Sequence, residues 1–130
     1  MVRLIIVDDH ALYRNAATSA LAPHFATCEI LNASTFAELE GLLSSDPDID
    51  LVLLDLNLPD VEGMHGLRRL RSRYPGLPVA VMSGSDDRRL MRSAIEIGAS
   101  GFVHKTQCIQ TLRRSVELIL SGQIWLPPQN

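Results

Sequence analysis

The chain has 130 residues, of which 46% are hydrophobic and 21% charged, and a net charge of −3 at neutral pH. That is one domain of ordinary globular usage, which excludes a disordered tail, a collagen-like repeat, a coiled coil and a large enzyme barrel. No apolar run exceeds about four residues, so nothing is expected to span a membrane, and the acidic balance argues against a lone nucleic-acid-binding module.

In chain order, residues 4–7 form the first continuous apolar run. Such a run suits a strand buried on both faces, as in a parallel sheet covered by helices. The start MVRLIIVDDH lacks the long apolar stretch of a secretory signal. Helical spacing next puts Leu12, Ala16 and Ala20 on one face. Residues 27–31 read as a weaker, more polar edge strand. Phe36, Leu39, Leu42 and Leu43 predict a second helix, with Thr35 and Glu38 as a capping box. Residues 51–54 are the second buried run. Leu67 and Leu70 open a third helix that Pro75 and Gly76 stop, and residues 79–82 are the third run. Leu90, Ala94 and Ile95 belong to a fourth helix ended by Gly98. Residues 101–103 are a short fifth strand, and Leu112, Val116, Ile119 and Leu120 a fifth helix ended by Gly122. Strand and helix thus alternate five times, and right-handed crossovers make this a doubly wound α/β domain. The tail from Ile124 to Pro128 cannot continue a helix; it reads as the start of a linker or as a packed C-terminal strap. With no CxxC, Cys28 and Cys108 are expected to be reduced, inert thiols of a cytoplasmic protein.

Polar residues follow the apolar runs. Asp8 and Asp9 come after the first, Asp55 after the second, Ser83 after the third and Lys105 just past the fifth strand. In an open parallel sheet the carboxyl ends share one edge, and ligands bind where the strand order reverses. Three carboxylates, a hydroxyl and an ammonium should therefore converge. Packed carboxylates repel, and a divalent cation removes the conflict. Hard oxygen ligands without a His/Cys cluster favour Mg²⁺. A cation beside a carboxylate, a Lys and a Ser is equipment for phosphoryl transfer, in which one carboxylate can be the nucleophile.

The pieces Val7-Asp8-Asp9-His10, Asp55-Leu56-Asn57-Leu58-Pro59-Asp60, Gly63, Ser83-Gly84 and Gly98-Ala99-Ser100-Gly101-Phe102 before Lys105 resemble the receiver domain of two-component response regulators, the CheY-like family. The resemblance implies a (βα)5 fold of five parallel strands in the order 2-1-3-4-5, and a receiver over residues 1–122 with a linker start at 123–130. It implies Asp55 as phosphoacceptor, and Asp8, Asp9, Asp55 and the backbone carbonyl of Asn57 around Mg²⁺. It implies Ser83 and Lys105 on the phosphoryl group, and Ser83 with Phe102 as the switch pair. The implied donor is a sensor histidine kinase. Whether a second copy of the chain is a partner, as a homodimer, stays open; DNA is reached only through an output domain absent here, and no membrane is involved. His10 and the tail resemble receivers joined to a LuxR-type helix-turn-helix domain. Whether the chain is half of such a transcription regulator or a stand-alone receiver stays open. Thr106 stands where proline is common in the family, Phe102 where tyrosine is frequent, and Gly84 where alanine is common.

Plainer readings compete. Asp8 and Asp9 could cap the first helix, Asp55 could be a turn residue, and Ser85 or Asp86 could cap the fourth helix. Phe102 reads as a core aromatic whatever else it does. His10 reads as a local hydrogen-bonding residue at the pocket rim, and His24, His65 and His104 as surface. Arg68, Arg69, Arg71 and Arg73 read as a solvated face, as do Arg88, Arg89 and Arg92. An aspartyl phosphatase or phosphotransferase is a rival function, but Asp55-Leu56-Asn57 lacks the second acid such enzymes need. A pseudo-receiver that is never phosphorylated is another. A flavodoxin-like carrier lacks its phosphate loop, since Asp8 and Asp9 occupy that position.

Overall fold

The computed structural model describes residues 2–24, 27–46, 48–85, 87–107 and 109–127. Strands and helices alternate as β1 (Val2–Val7), α1 (Ala11–Leu21), β2 (Cys28–Ala33), α2 (Phe36–Ser45), β3 (Leu51–Asp55), α3 (Gly63–Arg73), β4 (Val79–Ser83), α4 (Arg88–Ile97), β5 (Gly101–His104) and α5 (Ile109–Leu120). Every strand pair is parallel, and the order is β2-β1-β3-β4-β5. The doubly wound five-stranded expectation therefore holds, with β2 at an edge.

The apolar runs are continuous because both faces of the sheet are covered. Ile5, Val7, Val52, Leu54, Val79, Val81 and Phe102 pack with residues of α2, α3 and α4. Their neighbours Leu4, Ile6, Leu51, Leu53, Ala80, Met82 and Val103 face α1 and α5. Each fully buried side chain of this size contributes roughly 1.5–3 kcal/mol. Among the described residues no helix is long and apolar enough to cross a membrane.

The structure corrects the first helix by one position. Leu12 is 86% exposed, and the stripe that α1 buries is Ala17 and Leu21 with Tyr13 half-buried against the same core. Both stripes are four-residue series one step apart, so spacing alone cannot choose between them. Packing against α5 does, because the Tyr13 stripe is the larger. Arg71 is corrected too. It is half-buried, and its guanidinium donates to the carbonyls of Tyr74 and Pro75 at 2.7 Å, which holds the end of α3. Arg69 and Arg73 reach Glu40 on α2 at 3.3 and 2.6 Å. The cap of α4 is Asp87, which accepts from the Arg89 N–H at 2.9 Å, rather than Ser85. Asp86 and Cys108 lie outside the described residues. Cys28 is a half-buried free thiol, and burial pushes its pKa up.

At α2 the Thr35 hydroxyl accepts from the Glu38 N–H at 3.1 Å, while Glu38 turns back to Ser34. A second cap comes from far away in sequence. The Asp60 carboxylate accepts from the N–H groups of Phe36 and Ala37 at 2.8 and 2.9 Å, tying the loop after β3 to the start of α2. Asp60→Ala should cost about 1–2 kcal/mol, read by urea denaturation. An unchanged midpoint would show that Thr35 alone caps the helix.

The tail is a strap. Trp125 pairs in parallel with Gly101, donating to Ser100 O at 3.1 Å and accepting from the Phe102 N–H at 3.0 Å. A Cβ on Gly101 would lie 2.8 Å from Ile119 Cδ1 and 3.2 Å from Trp125 O. Gly101→Ala should therefore push the strap off β5. Trp125 is the sole tryptophan, so its emission should move to the red and become quenchable by acrylamide. Emission identical to wild type would refute this.

Candidate functional site

Strand register builds the site. Val7 pairs with Leu54, Asp55 with Met82 and Ser83 with His104. The residues at these strand ends are thus level across the sheet, at the edge where strand order reverses between β1 and β3. Asp8, Asp55 and Ser83 are 0%, 1% and 2% exposed. Asp9 and His10 stand at the solvent side.

Lys105 Nζ lies 2.6 Å from Asp8 Oδ2 and 3.4 Å from Asp55 Oδ2. Asp8 Oδ1 accepts from the His10 backbone N–H at 2.8 Å and lies 2.9 Å from His10 Nδ1. Asp55 Oδ1 accepts from the Asn57 N–H at 3.0 Å. The Ser83 hydroxyl accepts from the Ser85 N–H at 3.0 Å, and its carbonyl accepts from the Lys105 N–H at 2.8 Å. Asp8, Asp9, His10 and Asp55 each offer a ligand atom within 4.8 Å of the others. Phe102 is wholly buried behind β5. Its ring belongs to the core, and its N–H holds the strap.

The two buried acids titrate in opposite directions. Burial raises Asp8, but the bonds from Lys105 and His10 outweigh it and hold this carboxyl below its ordinary value. For Asp55 burial dominates, the Asn57 N–H opposes it, and the charge of Asp8 pushes it further up.

Two neighbours, Tyr13 and Arg14, were not legible as site residues. The Tyr13 ring sits 4.8 Å from Lys105 Nζ, and burial with the charges of Asp8 and Asp55 pushes its hydroxyl up to about 12. Arg14 donates to Asp8 O at 2.5 Å. His10 hydrogen-bonds Asp8 from the pocket rim, as its sequence position suggested. Tyr13 heads the buried stripe of α1, one step from the stripe that the spacing suggested. His65 is exposed, as read; His104 is half-buried and accepts from the Thr106 N–H at 3.3 Å.

Three acids and one ammonium leave a formal charge of −2, with Asp8 and Asp55 buried. Asp8 Oδ2 is held by the Lys105 ammonium at 2.6 Å. A hard divalent cation fits such an oxygen set, and the cluster of Asp8, Asp9 and Asp55 is consistent with the Mg²⁺ site of receiver domains.

Comparison with known proteins agrees with this geometry. Residues 4–117 match the response regulator receiver domain. The chain is 34% identical over 128 residues to the glycerol metabolism activator of Pseudomonas putida, covering 98% of this chain and 58% of that protein. It is 30% identical over 130 residues to the transcriptional regulatory protein DegU of Brevibacillus brevis, covering 98% and 54%. The chain thus spans little more than half the length of these relatives. A solved LuxR-family DNA-binding response regulator from Silicibacter pomeroyi superposes with a TM-score of 0.86 at 37% identity, over 98% of both chains. Fold, pocket and comparison together make the chain a member of the response regulator receiver domain family, a signalling domain of two-component systems.

Proposed function

We propose that the pocket accepts a phosphoryl group on Asp55 from a sensor histidine kinase and uses it to switch the surface of the domain. The observation that carries this reading is the meeting of Asp8, Asp55 and Lys105, from three strand ends, at 2.6 and 3.4 Å. An Asp55 oxygen attacks phosphorus, the Oδ–P bond forms, and the P–N bond of the donor phosphohistidine breaks. The departing imidazole keeps the electron pair and takes a proton from water.

Asp8, Asp9, Asp55 and the Asn57 carbonyl would hold Mg²⁺, which when bound neutralises phosphoryl oxygens. Lys105, already between the two buried acids, supplies the second positive charge. Ser83 gives up its contact with the Ser85 N–H and donates to the new group. Phe102 follows, in the core behind β5. The new group carries about −1.5 to −2 charges if it ionises like a phosphate monoester. Inverting a resting ratio of 99:1 needs about 5.5 kcal/mol. Charge-assisted bonds of about 1.5–3 kcal/mol each supply that.

The domain catalyses transfer from the phosphodonor to its own Asp55, and slow attack of water on the resulting aspartyl phosphate, which releases inorganic phosphate and restores the carboxylate. We assign residues 1–122 to the receiver and 123–130 to the linker start. The output is transcription through a helix-turn-helix domain, in the cytoplasm. The length of the relatives supports a separate output domain.

Intact mass after incubation with acetyl phosphate tests the reading. One phosphoryl group should be gained with Mg²⁺, none without it, and none in Asp55→Asn. A folded wild-type protein that gains nothing would favour the pseudo-receiver instead.

A further inference from the structure

The Tyr13 ring is the pocket neighbour that the reading above leaves without a task. Lys105 Nζ sits over its face, 4.8 Å from the ring centre, inside the roughly 6 Å over which an aromatic face attracts a cation. The two partners are anchored from separate parts of the fold. On one side, the Lys105 N–H donates to Ser83 O at 2.8 Å. On the other, the first turn of α1, which carries Tyr13, is tied to the end of β1. There the Arg14 guanidinium donates to Asp8 O at 2.5 Å, and the Arg14 N–H to His10 O at 3.1 Å. The ring itself is half-buried against the core that faces α1 and α5.

Lys105 needs such a hold. Its ammonium ends a flexible stem and has three N–H donors to place. It faces Asp8 Oδ2 at 2.6 Å, Asp55 Oδ2 at 3.4 Å and His10 Nδ1 at 3.4 Å. The nearest partner at rest is Asp8, yet a phosphoryl group would form on Asp55. The ammonium must therefore turn part of its hydrogen bonding from one acid to the other. A carboxylate contact is directional and is exchanged in that turn. An aromatic face attracts the charge without claiming a particular N–H, so it holds throughout. The face makes this contact, and the hydroxyl does not. Burial first, then the charges of Asp8 and Asp55, push that hydroxyl up to about 12, so the ring stays neutral beside the acids.

We propose that Tyr13 is a positioning residue for phosphoryl transfer: its ring face keeps the Lys105 ammonium between Asp8 and Asp55, within reach of the oxygens of an arriving phosphoryl group. This rests on the reading of Asp55 as acceptor. It adds the residue that aims the second positive charge, and catalysis by a fixed charge depends on such aim.

Two substitutions in the whole chain separate ring from bulk. Tyr13→Leu keeps an apolar side chain on the buried stripe but removes the ring, and Tyr13→Phe keeps the ring without its hydroxyl. Uptake from acetyl phosphate with Mg²⁺, followed by intact mass, should slow by about 3–30-fold in Tyr13→Leu. Tyr13→Phe should restore the rate to within about two-fold of wild type. On a Lys105→Met background, Tyr13→Leu should cost less than about two-fold, because no ammonium remains to be held. Lys105 is the sole lysine, so protein labelled with ¹³C-lysine gives a single ε-methylene signal by NMR. Without any phosphodonor, that signal should lie upfield in wild type and Tyr13→Phe and return to the position of an ordinary lysine in Tyr13→Leu. Equal slowing with and without the ammonium would mean that Tyr13 only props α1, and a Tyr13→Phe variant as slow as Tyr13→Leu would give the task to the hydroxyl. Either result overturns the proposal, as does a Tyr13→Leu rate equal to wild type or an unshifted wild-type signal. If wild type takes up no phosphoryl group, the reading of Asp55 fails instead, while the lysine signal still decides whether the ring holds the ammonium.

Discussion

Asp55→Asn should stabilise the resting protein by about 1–3 kcal/mol at neutral pH without divalent cations, a rise of about 3–10 °C in Tm. Two buried carboxylates share one ammonium, and the closer contact goes to Asp8 at 2.6 Å. Asp55 is left with the poorer partner, in a site where burial and the Asp8 charge both disfavour its ionised form. The amide keeps an oxygen for the Asn57 N–H, which now bonds Asp55 Oδ1 at 3.0 Å, and removes the repulsion.

The pH dependence follows from the sign of each shift. Folded Asp55 binds its proton more readily than unfolded Asp55, so wild-type stability rises as pH falls through the raised value toward the ordinary carboxylate range. Asp8 is shifted down, so its contribution is present above that range and is lost as pH falls below it. The stability gap between Asp55→Asn and wild type should therefore narrow from pH 7 toward pH 4. Tm across that range, in a chelator, reads it directly. A variant no more stable than wild type at pH 7, or a constant gap, would mean that Asp55 is not under charge stress. Adding Mg²⁺ should stabilise wild type more than the variant, because it relieves the repulsion that the variant lacks.

Most of the pocket was legible because one rule covers it: parallel strands end at one edge. Asp8, Asp55, Ser83 and Lys105 are each defined by the strand they follow, and register does the rest. Asp9 and Asn57 came with them as neighbours in sequence. Side-chain geometry was not legible. Nothing in the pattern of α1 says that Tyr13, and not Leu12, faces the core beneath Lys105, since the two stripes differ by a single step. Asp60 reads as a turn residue; its role as a cap on α2 joins positions 23 and 24 residues apart. The Trp125 strap was half legible. Pro127 and Pro128 exclude a helix, but pairing with Gly101 depends on β5 presenting a bare edge and on a glycine that leaves room for the chain.

Lys105→Met should have the opposite effect to Asp55→Asn, a loss of about 2–4 kcal/mol at pH 7 in a chelator. Methionine keeps most of the side chain's length but deletes the ammonium, which sits over the Tyr13 ring 4.8 Å from its centre. Asp8 Oδ2 then loses its 2.6 Å neighbour while remaining buried, and its Oδ1 retains only His10. Two like charges face each other without compensation, so the pair takes up a proton at a higher pH than in wild type. The loss should therefore shrink as pH falls, because protonation relieves what the missing ammonium leaves behind. It should shrink again in the Lys105→Met, Asp55→Asn double variant, where one carboxylate is gone. Residues that share a partner couple by about 0.5–3 kcal/mol, and here the sign is set: the double variant is more stable than the sum of the two changes. Chemical denaturation of the four proteins measures the coupling. Strict additivity would mean that Lys105 is a rim lysine with no hold on Asp55, and the phosphoryl pocket would then lack its second positive charge.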